Sequence, residues 1–110
     1  MRNLTSKYHS KKVIYSGHKF DSKKEMYYYI KLKQLQKEGK IKELELQKKY
    51  ELQPSFKLNG KTRRAITYKA DFVYKDNKIH VIDVKGFKTD VYQIKKKLFE
   101  YKYGIEIEEV

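Results

Sequence analysis

The spacing of apolar and polar residues changes several times along this chain, and each change marks an element. Val13-Ile14-Tyr15, Ser16-Gly17 and His18-Lys19-Phe20 read as a small hairpin with a glycine turn. Asp21 or Ser22 then supplies an N-cap, Ser22-Lys23-Lys24-Glu25 matches a capping box, and Gly39 stands where a C′ glycine belongs, which predicts a helix between them. After Gly39 the period shortens. Leu44 and Leu46 alternate with polar residues, and Tyr50, Leu52, Phe56 and Leu58 lead to Asn59-Gly60, a hairpin signal with a strand expected on each side. The second of these, around Ala65 to Tyr74, places Ile66, Tyr68, Ala70, Phe72 and Tyr74 on one face and Thr67, Lys69, Asp71 and Val73 on the other. Asp76-Asn77 makes another turn, and Ile79 to Val84 is a β-branched strand ending at Gly86. From about Asp90 to Tyr103, Val91, Ile94, Leu98 and Tyr101 recur at helical spacing, Gly104 closes the helix, and Ile105 and Ile107 predict a short final strand. The expected order is ββ-α-βββ-α-β, an α/β (α+β) fold with a mixed sheet. Residues 1–12 read as a basic arm and 13–110 as one domain.

The strand pair around Asp76-Asn77 carries the most chemistry. Asp83 and Lys85 are two apart and project from one face of their strand. If Lys75 pairs with Ile79, counting back sets Asp71 directly opposite Asp83, with Cβ atoms about 5 Å apart. Pairing Lys75 with Lys78 instead would turn Asp71 toward the apolar side. The first register keeps Phe72, Ile82, Ala70 and Val84 together on one face, so it is the expected one. Like charges opposed in this way are destabilising unless compensated, and a hard divalent cation such as Mg²⁺ suits two carboxylates. Glu25 shares a stripe with Tyr28, Tyr29, Leu32 and Leu35 on the first helix, so its carboxylate faces the interior while also suiting a capping box.

Charge narrows the function classes. Lys and Arg number 27 against 14 Asp and Glu, a net charge of +13, which points to a polyanionic partner. There is no cysteine, which excludes disulfides, thiol catalysis and Cys-based zinc sites. No apolar run is long enough to span a membrane and the basic start lacks a secretory apolar stretch, so the expectation is a soluble, cytoplasmic protein with no membrane partner. His9, His18 and His80 match no zinc or ββα-metal spacing and are expected in ordinary polar roles.

A helix with an acidic residue, an aspartate on one strand, and D-x-K on the next strand followed by a helix resembles the PD-(D/E)XK nucleases. The chain from Lys11 to Val110 also resembles a family of small phage-encoded nuclease-like proteins, through Phe20-Asp21-Ser22-Lys23-Lys24-Glu25, Leu52-Gln53-Pro54-Ser55-Phe56, Tyr68-Lys69-Ala70-Asp71-Phe72 and Asp83-Val84-Lys85-Gly86. Ala70 replaces the usual proline. Gln93 resembles an auxiliary glutamine of some recombination exonucleases, although the tyrosine usually four residues later is Lys97. The resemblance implies a restriction-endonuclease-like core, a sheet flanked by two helices, in an intracellular protein of a phage or mobile element. It also implies Mg²⁺, with Mn²⁺ as a substitute, held by Asp71, Asp83 and the Val84 carbonyl. Lys85 would stand beside the attacking water, and Glu25 would complete the carboxylate cluster.

Basic residues that would bring DNA phosphates to such a site are Lys23 and Lys24, Arg63 and Arg64 entering the central strand, and Lys95, Lys96 and Lys97. RNA stays open as a substrate, and a domain this small can form a homodimer to address both strands. Tyr27, Tyr28 and Tyr29 cannot all be core on one helix, which leaves at least one for an interface or for stacking on bases. The rival expectation is a non-catalytic nucleic-acid-binding protein that keeps the fold and the basic surface.

Overall fold

The β-branched and aromatic strands form a mixed sheet, seen in a computed structural model that describes residues 12–84 and 88–110. Lys85, Gly86 and residues 1–11 of the expected arm, with His9, lie outside the described residues. Contacts group the chain into two units, one ending at Ile41 and one beginning at Lys42.

In the first unit, β1 (Val13–Tyr15) and β2 (His18–Phe20) pair antiparallel with Val13 opposite Phe20. Ser16 and Gly17 both take left-handed φ values, +53° and +80°, as a two-residue turn matched to strand twist requires. The helix α1 (Lys23–Lys37) starts as expected. The Glu25 amide donates to Ser22 Oγ at 3.1 Å, and Glu25 Oε1 accepts the Asp21 amide at 3.1 Å. At the other end the Gly39 amide donates to the Gln36 carbonyl and the Lys40 amide to the Leu35 carbonyl, with Gly39 at φ +78°. This closure returns two orphan carbonyls to partners and needs the left-handed glycine. Phe20, Tyr29, Leu32 and Ile41 are buried, and the Tyr29 ring packs against His18 and Phe20. Of the tyrosine triplet, Tyr27 is exposed and Tyr28 half-buried beneath the Lys31 ammonium.

In the second unit, β3 (Lys42–Gln53), β6 (Ile66–Lys75), β7 (Ile79–Asp83) and β8 (Ile107–Glu109) form one sheet in the order β3-β6-β7-β8. The first three run antiparallel and β8 lies parallel to β7, reached through α2 (Asp90–Tyr103). Among the described residues the fold is therefore α+β with a mixed sheet and two helices. Tyr68, Ala70, Val73, Val81 and Ile107 pack against Tyr92 and Phe99 of α2, with Tyr50 and Leu52 of β3 at the margin. No helix among the described residues is long and apolar enough to cross a membrane.

Three expectations are corrected. The Asn59-Gly60 turn, at φ +51° and +76°, closes a separate ribbon of β4 (Phe56–Leu58) and β5 (Lys61–Arg63) rather than leading into the central strand. Pro54, which lacks an N–H, follows the end of β3 and divides the two. Arg63 therefore ends the ribbon and Arg64 lies in the link to β6, both exposed, so neither enters the central strand.

The Val91, Ile94, Leu98 and Tyr101 stripe faces outward, with 61, 60, 41 and 90% of each residue accessible. The helix buries Tyr92 and Phe99 instead, two turns apart, because these larger rings cover more of the sheet and Tyr92 finds a carboxylate for its hydroxyl.

Strict alternation also fails in β6. Tyr68 and Ala70 share their core with Val73, which alternation would place on the other face, while Phe72 pairs with Ile82. Gln47 of β3, at φ +54°, stands between the Leu46–Phe72 and Lys48–Ala70 pairs, opposite Asp71 by count. The ladder runs unbroken past this left-handed residue, and the register of β3 on β6 shifts only between Lys42 and Glu45 and between Glu51 and Gln53.

Candidate functional site

The ladder between β6 and β7 pairs Lys75 with Ile79, Tyr74 with His80, Val73 with Val81 and Phe72 with Ile82. This is the expected register as far as the strands pair, and Asp71 and Asp83 are the residues that follow the last pair. Asp83 is 2% exposed and Tyr68 3%. The Tyr68 hydroxyl donates to Asp83 Oδ2 at 2.6 Å, the short distance of a charge-assisted bond. Asp71 is half-buried, and its Oδ2 accepts the Val84 amide at 2.8 Å just where the β7 ladder ends. The Tyr68 hydroxyl is strongly disfavoured from ionising. Burial above all pushes its hydroxyl far above the ordinary range, followed by the hydrogen bond to Asp83 and the charges of Asp83, Tyr92 and Asp71. Tyr68 therefore remains a donor throughout the working pH range.

The sheet adds a third acid that the sequence reading missed. In the parallel pairing of β7 with β8, Asp83 stands opposite Glu109, and the Val110 amide donates to the Asp83 carbonyl at 3.0 Å. Glu109 Oε2 accepts the Tyr92 hydroxyl at 2.7 Å, Lys88 Nζ lies 2.8 Å from Oε1, and Lys96 Nζ lies 3.5 Å from Oε2. The Lys88 bond, the Tyr92 bond and the two ammonium charges hold the Glu109 carboxyl down at about 2, against the opposing effect of burial. Tyr92 is pushed up, first by burial and then by its bond to Glu109 and the charge of Asp83. Two tyrosines thus serve two neighbouring carboxylates, their rings 6.5 Å apart. Counting Ile107 against Val81 as parallel partners would have found Glu109, since both are apolar and two residues before the acids.

The remaining expected residues are described each within its own unit. Glu25 sits in the first turn of α1, in the first unit, where its bonds to Ser22 and Asp21 fulfil the capping role. Lys23, Lys24, Gln93 and Lys97 are exposed and Lys95 is half-buried. Lys96 is engaged by Glu109. His80 is held between two carboxylates, its Nε2 2.9 Å from Asp76 and its Nδ1 2.6 Å from Glu108, with the Tyr74 ring stacked on it. That is the polar structural role expected of it.

The donor chemistry at Asp71 and Asp83 fits a hard cation. Among the described residues no three His, Asp or Glu side chains gather tightly enough to hold a metal. Mg²⁺, however, commonly takes only one or two carboxylates and completes its shell with water. The bonds from Tyr68 and the Val84 amide are of the kind that fix the orientation of metal-ligating carboxylates. Asp71, Asp83 and the Val84 carbonyl are the groups that could hold such an ion.

No curated protein and no solved structure matches this chain. Residues 5–108 match the family DUF1064, described as a protein of unknown function, and with nearly its whole length covered the chain belongs to that family.

Proposed function

We propose that this protein is a metal-dependent nuclease of the PD-(D/E)XK type, with a restriction-endonuclease-like fold, that hydrolyses DNA phosphodiester bonds and works inside the bacterial host of a phage or mobile element. The observation that supports the reading is the β6–β7 register, paired as far as Phe72 with Ile82, so that Asp71 and buried Asp83 both follow at the end of the ladder, where Asp71 accepts the Val84 amide, with Lys85 two residues on in the sequence. In this reading Asp71, Asp83 and the Val84 carbonyl hold Mg²⁺ or Mn²⁺. The bound ion would supply Lewis acidity and a nucleophilic water at neutral pH. Tyr68 and the Val84 amide keep the carboxylates aimed. Lys85 stabilises charge at the attacked phosphate or assists deprotonation of the water. The resemblance would add Glu25 to the carboxylates, whereas its hydrogen bonds with Ser22 and Asp21 are those of a helix cap. Lys23, Lys24, Arg63, Arg64, Lys95 and Lys97 attract the phosphate backbone, and Lys96 joins them when released from Glu109. A homodimer would let two such sites address both strands.

The second reading is a non-catalytic nucleic-acid-binding protein with the same surface. It is favoured by the structural hydrogen bonds that Asp71 and Asp83 already accept. One experiment separates the two. Purified protein is incubated with linear, circular, single-stranded and branched DNA, and with RNA, in Mg²⁺, Mn²⁺ or EDTA, while calorimetry measures cation binding. Cleavage that needs the cation and disappears in Asp83→Asn supports the nuclease. No cleavage of any substrate, with no cation bound by the wild type, leaves the binding protein.

A further inference from the structure

The first unit carries a concavity that the nuclease reading does not use. A groove of about 420 Å³ opens between the β1–β2 turn and the C-terminal half of α1, lined by Tyr15 and Ser16 on one side and by Tyr29, Ile30, Lys33 and Lys37 on the other. We propose that this groove binds an unpaired nucleotide of a nucleic-acid strand, the base lying against Tyr15 and the flanking phosphates against Lys33 and Lys37. The proposal rests on nucleic acid being the partner, but not on hydrolysis at Asp71 and Asp83.

Shape, rigidity and charge support it together. The volume lies within the range of small-molecule sites and exceeds what one ordered water or ion needs. Tyr15 is 42% exposed, so much of its surface is open to a ligand. Its other contact is edge-on to Tyr29, centroids 6.3 Å apart at 74°, and Tyr29 in turn packs on His18 at 5.3 Å and Phe20 at 5.1 Å. The Ser16-Gly17 turn, left-handed at both residues, fixes the hairpin that presents Tyr15. The ring is thus positioned before a ligand arrives, and stacking on it costs little ordering entropy.

Lys33 and Lys37 are four apart and so lie on one face of α1, both exposed. Among the described residues no carboxylate lines the groove. Glu38 at the helix end is engaged by Gln34 at 2.9 Å and Lys40 at 3.4 Å. A site with an aromatic platform and two cations fits a stacked base with phosphates on either side. An acidic peptide would satisfy the lysines but leave the ring unused, and in a chain of net charge +13 the ring is what distinguishes this place from the general basic surface.

The test measures binding of the full-length protein by fluorescence anisotropy in EDTA, over a salt series. The probes are a labelled oligo-dT and an abasic strand of equal length and charge. Wild type is expected to hold oligo-dT about tenfold more tightly than the abasic strand. Tyr15→Ala should remove that difference and leave abasic binding unchanged, while Tyr15→Phe should preserve it. Lys33→Ala with Lys37→Ala leaves the aromatic cluster intact, so it tests the site even if Tyr15→Ala disturbs the hairpin. It should weaken both probes and lower the salt slope by about 1.4, at about 0.7 per contact with a single strand.

Equal wild-type affinity for the two strands overturns the proposal. So does a Tyr15→Ala loss that is the same on both, or displacement of the probe by polyglutamate as readily as by oligo-dT. Because EDTA removes any cleavage, a protein that binds as expected but never cuts DNA sinks only the nuclease reading. A protein that cuts DNA without preferring bases to abasic sites sinks only the groove.

Discussion

Removing the Tyr68 hydroxyl tests whether the site is built around an ionised Asp83. Tyr68→Phe keeps the ring among Tyr92 and Phe99 and deletes only the donor to Asp83 Oδ2 at 2.6 Å. Both residues are at most 3% exposed, so water cannot readily replace the lost bond. A hydrogen bond to a charged group contributes about 1.5–3 kcal/mol, and stranding a buried carboxylate puts the cost toward the upper end. The expected loss is about 2.5 kcal/mol, or a fall in Tm on the order of 10 °C for a chain of this size. In the Asp83→Asn background the acceptor is neutral, and the same substitution should cost about 1 kcal/mol. Urea denaturation of wild type, both single variants and the double variant at pH 7 gives the coupling directly. If Tyr68→Phe costs the same in both backgrounds, the hydroxyl does not serve a charge and the description of this site is wrong.

Glu109 offers a pH test. Its carboxyl lies at about 2 in the fold against 4.5 ordinarily, so the stabilisation is complete above about pH 4.5 and fades as pH falls toward 2. The full shift corresponds to about 3.4 kcal/mol, but Lys88 is 49% exposed and solvent screening reduces the expected cost of Glu109→Gln to about 1–2 kcal/mol at pH 7. By pH 3 less than half of that should remain, and a difference in urea midpoints that is constant between pH 3 and 7 would count against the network. Gly104 ends α2 at φ +67°, so Gly104→Ala should cost about 1 kcal/mol through backbone strain alone, with nothing within 4 Å for the new methyl to strike. A calorimetric scan showing no loss would remove the left-handed cap. Lys95→Ala and Lys97→Ala should each weaken DNA binding and lower its salt slope without altering stability, whereas Lys96→Ala should also lower the melting temperature through Glu109. Equal melting temperatures for all three would dissolve that distinction.

Much of this was legible in the residues because local chemistry decided it. The capping box at Ser22 and Glu25, the glycine at 39 and the cap at Gly104 act within one turn of chain, and the structure has all three. The β6–β7 register was legible for a narrower reason than the alternation suggested: Phe72 does oppose Ile82, but Ala70 belongs with Val73 and Val81. The face of α2 could not be read, because residues 91, 94, 98 and 101 form one stripe at helical spacing, while 92 and 99 lie on another. The choice between them is made by the sheet beneath, through Tyr50, Tyr68 and Val81, which are distant in sequence. The same distance hid Tyr68 as the partner of Asp83 and Glu109 as its neighbour, since both depend on strand order rather than spacing. The Asn59-Gly60 turn was read correctly as a hairpin, but its strands were too short and too exposed to join the main sheet.

The end of the β6–β7 ladder links these observations. Gln47, at φ +54° and opposite Asp71 by count, is a strained non-glycine residue, yet it adds no residue to the ladder: Leu46 pairs with Phe72 and Lys48 with Ala70, and the register of β3 on β6 shifts only between Lys42 and Glu45 and between Glu51 and Gln53. On the other side of β6 the pairing with β7 runs as far as Phe72 with Ile82, and there the Val84 amide turns to Asp71 Oδ2 instead of continuing the ladder. One residue earlier, buried Asp83 takes the Tyr68 hydroxyl on its side chain while its carbonyl accepts the Val110 amide. Buried polar groups must find partners, and where a ladder ends side chains supply what the neighbouring strand no longer does. Both aspartates are therefore held by donors at the point where β6 and β7 part, which is also the point proposed to hold the cation.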